Sequence, residues 1–250
     1  MEVGAQLYTV RDFCKTLEDF DETLKRIADI GYRNVQVSGT CTYEAKWLKE
    51  KLEKHGLNCV LTHINAEKLH DKTEFVIADH DFIDCKYVGI GGYKFGDDPD
   101  MQDVQRFINE YKETAVKLKK NAKYFMYHNH DKEFRKVSGK LIFDYLAEGF
   151  TSDEMGFTLD TFWVQAGGAD PAYWLEKLEG RVPCIHLKDF AYGSKMSVLG
   201  EGNMNFDRIF EKAEKAGTKY MLVEQDDCYG ETPFDCLKRS YDYLKSRGFE

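Results

Sequence analysis

Short apolar runs recur along this chain roughly every thirty residues, and amphipathic stretches fill the intervals between them. The first half holds EVGAQLY at 2–8, NVQVS at 34–38, LNCVLTH at 57–63 and KYVGIGG at 86–92. The second half holds KYFMY at 123–127, GFTL at 156–159, VPCI at 182–185 and YMLV at 220–223. After the first run, Leu24, Ile27 and Ile30 repeat at helical spacing and Gly31 supplies the stop; the stretch from Tyr43 to Gly56 repeats the design. Further helices are expected near 73–85, from about Asp100 to Asn121 and from about Thr232 to Ser246. Nearly continuous apolar strands alternating with amphipathic helices predict a parallel sheet covered by helices, and eight such units predict closure into an α/β (β/α)8 TIM barrel, one domain over 1–250. The length agrees, because such barrels run to about 250 residues.

The residues that close these runs carry the candidate chemistry. His128, Asp160, His186 and Glu224 stand at the fifth to eighth ends, 32, 26 and 38 residues apart. Gln6, Gln36, His63 and Gly91 stand at the first four, at intervals of 30, 27 and 28. In a barrel of this kind the C-terminal strand ends share one face, so the four acidic and imidazole groups become candidate ligands of one divalent cation. Two imidazoles with two carboxylates suit Mn²⁺, Zn²⁺, Co²⁺ or Fe²⁺ better than Mg²⁺, which prefers oxygen alone. Taken singly each has a plainer reading: a strand-end His is ordinarily a hydrogen-bonded core or loop residue, and an Asp there caps the next helix.

Composition narrows the function classes. Lys and Arg number 35 against 44 Asp and Glu, for a formal charge of -9, and no basic block tracks a phosphate backbone, so nucleic acid and anionic membrane are poor partners. No apolar run approaches a membrane span and MEVGAQLYTVRD lacks the basic start of an export signal, so a cytoplasmic protein is expected. The seven cysteines lack CxxC spacing and read as reduced thiols. GxGxxG, Walker and GxSxG motifs are absent.

The strings QLYTVRD at 6–12, YHNHDKEF at 127–134, LDTFWVQAGGADP at 159–171, RVPCIHLKD at 181–189, LGEGNMNFDRIF at 199–210 and VEQD at 223–226 resemble the sugar phosphate isomerase/epimerase family of the xylose isomerase-like superfamily. That superfamily also includes tagatose and psicose 3-epimerases, hydroxypyruvate isomerase, inosose dehydratase and endonuclease IV. The resemblance implies a barrel holding one divalent cation by Glu, Asp, His and Glu. Asp160, His186 and Glu224 match the last three positions, whereas His128 fills the place of the first Glu, within His128-Asn129-His130. The exchange trades a carboxylate for an imidazole and removes one of two glutamates that shuttle protons in the family's epimerases.

The remaining candidates follow from position. His130 shares a strand side with His128 and is a candidate ligand or base, and Glu133 lies where the epimerases carry a substrate-contacting Glu. Gln6, Arg11, His63, Trp163, Lys188 and Asp189 are candidate substrate contacts. The plainer alternatives are a surface ion pair for Arg11, helix packing for Trp163 and a buried Lys188–Asp189 pair. His55, His70 and His80 fall away from strand ends and receive no role. The segments 91–98 and 199–203 are candidate lids or simply Gly-rich turns. The functional expectation is a metal-dependent isomerase or epimerase of a small sugar, sugar phosphate or keto-polyol acting through an enediolate. The rivals are a lyase acting by β-elimination on a keto-sugar or keto-inositol, and a sugar-binding barrel without catalysis. The sequence is compatible with a homo-oligomer, while its acidity and its few ligands disfavour an endonuclease IV-like role.

Overall fold

The computed structural model describes residues 1–250 and contains a closed, all-parallel barrel of eight strands. They are β1 (Glu2–Gln6), β2 (Asn34–Val37), β3 (Asn58–His63), β4 (Tyr87–Ile90), β5 (Tyr124–His128), β6 (Met155–Asp160), β7 (Cys184–Leu187) and β8 (Tyr220–Val223). Each pairs with its neighbours in chain order, and β8 closes the ring on β1, with Glu2 opposite Tyr220 and Ala5 opposite Val223. Among the outer helices are Leu17–Ile30, Ala45–His55, Met101–Lys120 and Pro233–Ser246. Asp100 caps the longest of these in a capping box with Asp103, and Thr232 caps the last ahead of Pro233.

Period-two alternation sorts side chains into two apolar compartments. Outward-facing Val3, Val35, Val88, Phe125, Phe157, Ile185 and Met221 join the helices in one core. Inward-facing Leu61, Tyr87, Met126, Cys184 and Leu222 form a separate stack inside the ring, with Tyr124 and Tyr220 beneath. Gly156 makes room for that stack, since a Cβ there would stand 2.5 Å from the Tyr124 ring. Above it, alternation brings the polar strand ends to one level.

Several elements differ from expectation. The stretch around 73–85 holds helix Thr73–Phe82, preceded by a separate turn of helix at Ala66–Asp71; the backbone leaves helical geometry at Lys72, and the Thr73 hydroxyl donates to the Leu69 and His70 carbonyls across the break. The first strand stops at Gln6, whose side chain accepts from the Tyr8 amide and turns the chain into a 3-10 segment, Leu7–Phe13. Antiparallel hairpins at 136–141 and 189–197 follow β5 and β7. Neither glycine-rich segment is a free flap. In the first, Phe95 is buried and the Tyr93 hydroxyl bonds Glu110; the second is tied to Asp189 through the amides of Gly200 and Gly202. No helix is long and apolar enough to cross a membrane, and all seven cysteines are free.

Candidate metal and sugar site

Above the apolar stack, His128, Asp160, His186 and Glu224 converge, all of them buried, and one potential ligand atom from each lies within 4.8 Å of the others. The first-half strands orient this set. His186 Nε2 donates to Gln36 Oε1 at 2.6 Å, which leaves Nδ1 as the lone-pair nitrogen, 2.9 Å from Glu224 Oε2 and 3.6 Å from Asp160 Oδ2. His128 Nδ1 donates to the Gly91 carbonyl at 3.3 Å and turns Nε2 to within 3.2 Å of Asp160 Oδ2. Glu224 Oε1 accepts from Gln6 Nε2 at 2.7 Å, freeing Oε2 for the centre. Asp160 divides its oxygens: Oδ1 caps the following helix through the Trp163 amide at 3.0 Å, and Oδ2 joins the cluster. Capping the helix thus engages one oxygen of Asp160 and leaves the other at the cluster.

The donor set fits a divalent cation. His186 Nδ1 and Glu224 Oε2 are buried 2.9 Å apart without a well-aligned hydrogen bond, and the ammonium of Lys188 stands 3.0 Å from that oxygen, an arrangement into which a cation would fit. Two imidazole nitrogens beside two carboxylate oxygens match the mixed preference of a transition-metal dication, which would displace the proton that, against burial, Glu224 and Asp160 favour on His186. Lys188 is part of the same centre. Its Nζ lies 3.2 Å from Asp160 Oδ2, 3.0 Å from Glu224 Oε2 and 2.9 Å from Asp226 Oδ2, and its backbone is pinned by the Thr161 hydroxyl. The alternative Lys188–Asp189 pair is therefore not formed.

Electrostatics separate these groups. Burial alone would raise Asp160 and Glu224, yet Lys188 and the imidazoles outweigh it and hold both well below the usual carboxylate range. Burial likewise opposes the charge on Lys188, and the three carboxylates hold it above its ordinary value. Asp226 is pushed up to about 7 by burial and by Glu224, against the pull of Lys188. Burial lowers His130 to about 3, helped by His128, and drives His63 well down as well.

His63 and His130 border the cluster. The His63 ring centre lies 5.2 Å from that of His128 and 5.6 Å from that of His186, and its Nε2 is buried without a partner. The His130 ring is 4.7 Å from that of His128 and 5.2 Å from that of Trp163, with Nδ1 likewise unpartnered. The Trp163 ring stands 5.5 Å from Lys188 Nζ. Arg11 sits at the mouth, where its guanidinium joins the carbonyls of Tyr8 and Asp226 in place of the surface ion pair.

Two expected contacts stand elsewhere. Glu133 is fully buried on the helix side of the barrel, accepting from the Tyr127 hydroxyl at 2.6 Å and the His130 amide at 2.7 Å. Both oxygens are used, and burial raises its pKa. Tyr127 faces outward, so the sequence offset of Glu133 misleads. Asp189 is equally committed, accepting from the amides of Phe190, Gly200 and Gly202 to fasten the seventh loop. Two further members of the site are not among the residues singled out in the sequence: Asn129, whose Oδ1 accepts from the Asp160 amide, and Asp226. The signal for Asp226 is its position two residues past Glu224, which strand alternation carries to the same side.

Comparison with known proteins agrees with this architecture. Residues 24–247 match the model of the xylose isomerase-like TIM barrel family. The chain belongs to that family. This xylose isomerase-like barrel is similar to a sugar phosphate isomerase/epimerase from Parabacteroides distasonis, with a TM-score of 0.84 at 23% identity over 98% of this chain and 93% of that one. A probable 3-DHS dehydratase of Bacillus anthracis superposes with a TM-score of 0.75 at 15% identity, covering 99% and 100% of the two chains. A D-allulose 3-epimerase from Methylomonas sp. superposes with a TM-score of 0.75 at 12% identity, covering 99% and 98%. At these identities the likeness establishes the fold. No curated protein sequence matches the chain.

Proposed function

We propose that this protein is a metal-dependent isomerase or epimerase of a small ketose or keto-polyol, with His128, Asp160, His186 and Glu224 as the ligands of one dication. The observation that carries the reading is the convergence of one ligand atom each from buried His128, Asp160, His186 and Glu224 within 4.8 Å of one another, with His186 Nδ1 and Glu224 Oε2 lacking well-aligned hydrogen bonds. A dication bound there would supply Lewis acidity worth several kcal/mol to negative charge developing on a substrate oxygen.

The chain's own residues account for the rest. Gln36 and Gln6 fix the orientation of His186 and Glu224, and Lys188 places an ammonium where negative charge develops on a substrate oxygen. Glu224 is the carboxylate base. With Glu133 committed elsewhere, the second proton-transfer group is an unpartnered neutral imidazole, His130 or His63. Trp163 walls the pocket, and Arg11 borders its mouth.

The presence of one carboxylate base where the family's epimerases have two favours a second reading, β-elimination from a keto-sugar with an imidazole serving the leaving group. Incubation with excess Mn²⁺ or Zn²⁺, followed by desalting and metal analysis, is expected to leave about one ion per chain. NMR of candidate ketoses in D₂O then divides the chemistry: carbon-bound deuterium without loss of water marks isomerisation or epimerisation, and an unsaturated product marks elimination. A protein that stays metal-free, or binds sugar without an ion, removes the catalytic reading.

A further inference from the structure

At the N-terminal end of the barrel, opposite the metal cluster, the proposed chemistry leaves a second cavity unused. Its volume is about 420 Å³, and among the side chains lining it four are lysines and only Asp153 is acidic. The same dipeptide, Lys-Tyr, opens β4, β5 and β8 at 86–87, 123–124 and 219–220. Each tyrosine turns into the ring, where Tyr87 meets Tyr124 and Tyr220 edge-on with ring centres 6.3 Å apart in both pairs, while the preceding lysines Lys86, Lys123 and Lys219 stand on the cavity wall. The result is a cup with an aromatic floor and a basic rim.

Part of that rim is already neutralised. Lys119 and Lys123 are paired with Asp153 and Asp81, whereas Lys86 and Lys219 are exposed and have no acidic partner, on a chain whose formal charge is -9. Glu2, opposite Tyr220 on β1, offsets some of this charge and is itself held by the Asn34 amide at 3.1 Å. The floor adds a neutral donor. The Tyr124 hydroxyl is spent on the Ser152 carbonyl, but Tyr87, only 5% exposed, has a hydroxyl with no partner in the protein. Burial raises the pKa of that phenol, so it stays protonated and able to donate. Two free ammoniums and a phenol call for a ligand that is anionic and only accepts hydrogen bonds. Ammonium groups serve tetrahedral phosphate as point charges, whereas planar carboxylates favour the fork of an arginine, and no arginine lines the cup. The volume lies within the range of small-molecule sites, roughly 300–1,000 Å³, which leaves room for an organic body beside the phosphate. We propose that this cup is a second binding site, for the phosphate group of a small molecule, with Lys86 and Lys219 as its countercharges and the Tyr87 hydroxyl as its neutral donor.

Calorimetric titration of the full chain at pH 8 with AMP and with inorganic phosphate tests this. At least one of the two is expected to saturate a site that Lys86→Gln combined with Lys219→Gln weakens at least about tenfold, and that Tyr87→Phe weakens about fivefold. Tighter binding of AMP marks an ester as the ligand, and equal affinities mark the free ion. The same charge change at two exposed lysines toward the metal-binding end, Lys46→Gln with Lys72→Gln, is expected to leave the affinity within about twofold. Three results overturn the proposal: neither ligand saturates, the folded Lys86/Lys219 variant binds as the wild type does, or the Lys46/Lys72 control weakens binding equally. None of them bears on the metal cluster, so the proposed function stands or falls separately.

Discussion

Strands β1–β4 end in neutral groups, Gln6, Gln36, His63 and the Gly91 carbonyl, whereas β5–β8 end in His128, Asp160, His186 and Glu224. The two halves of the ring meet in matched contacts, Gln6 on Glu224 and the Gly91 carbonyl on His128 between neighbouring strands and Gln36 on His186 across the bowl. One half thus carries the titratable chemistry and the other fixes tautomer and rotamer. The difference teaches that strand ends without charge still belong to the site, as partners that leave the correct lone pair facing inward.

The comparison breaks most sharply at Glu224. In Glu224→Gln, deuterium exchange into a turned-over ketose is expected to fall by roughly 10²–10⁴, the usual worth of a positioned base. Gln36→Leu removes only an orienting contact, so chelator competition is expected to show metal affinity reduced roughly 10–100-fold with ligand number unchanged. Equal damage from the two substitutions would erase the distinction between the halves.

Away from the bowl, His80 braces β3 through the Thr62 hydroxyl and is buried, which lowers its pKa from 6.5 to about 4, chiefly by desolvation. Its folded-state pKa is depressed, so its contribution is complete above pH 6.5 and disappears as pH falls through 4. Between pH 7 and pH 5, urea denaturation is expected to show a loss about 2 kcal/mol smaller in His80→Gln than in the wild type, the remainder coming from other buried imidazoles such as His63 and His130. A variant that keeps the full pH slope assigns the loss to other groups. The smallest effect belongs to Tyr127→Phe, which deletes one hydrogen bond to Glu133 and is expected to cost about 1 kcal/mol of unfolding free energy. Metal stoichiometry and turnover should be unaffected, and a loss of turnover would return Glu133 to the chemistry.

The ring and its four candidate ligands were legible because strand period and barrel rhythm act together. Each run ends at the same level, and alternation decides which residue faces in. The roles of Glu133 and Asp189 were hidden because their neighbours in the chain face the bowl while their own carboxylates turn to backbone amides or the outward Tyr127. Distance along the chain does not encode that turn. Lys188 was visible as a residue, but its partners lie 28, 36 and 38 positions away on other strands, where local pattern says nothing. Gln36 was marked by rhythm alone, since an amide announces no chemistry until its partner is known.

The bond between Gln6 and Glu224 crosses the seam where the first and last strands meet, 218 residues apart in the chain. The bowl is therefore finished only when the ring shuts, so a nascent chain lacks a working centre until its final strand has emerged and docked. Contacts of such long range form late and slowly. An ion clasped by residues on β5 through β8 would rivet the closing strand to the rest, tying retention of the ion to survival of the ring itself.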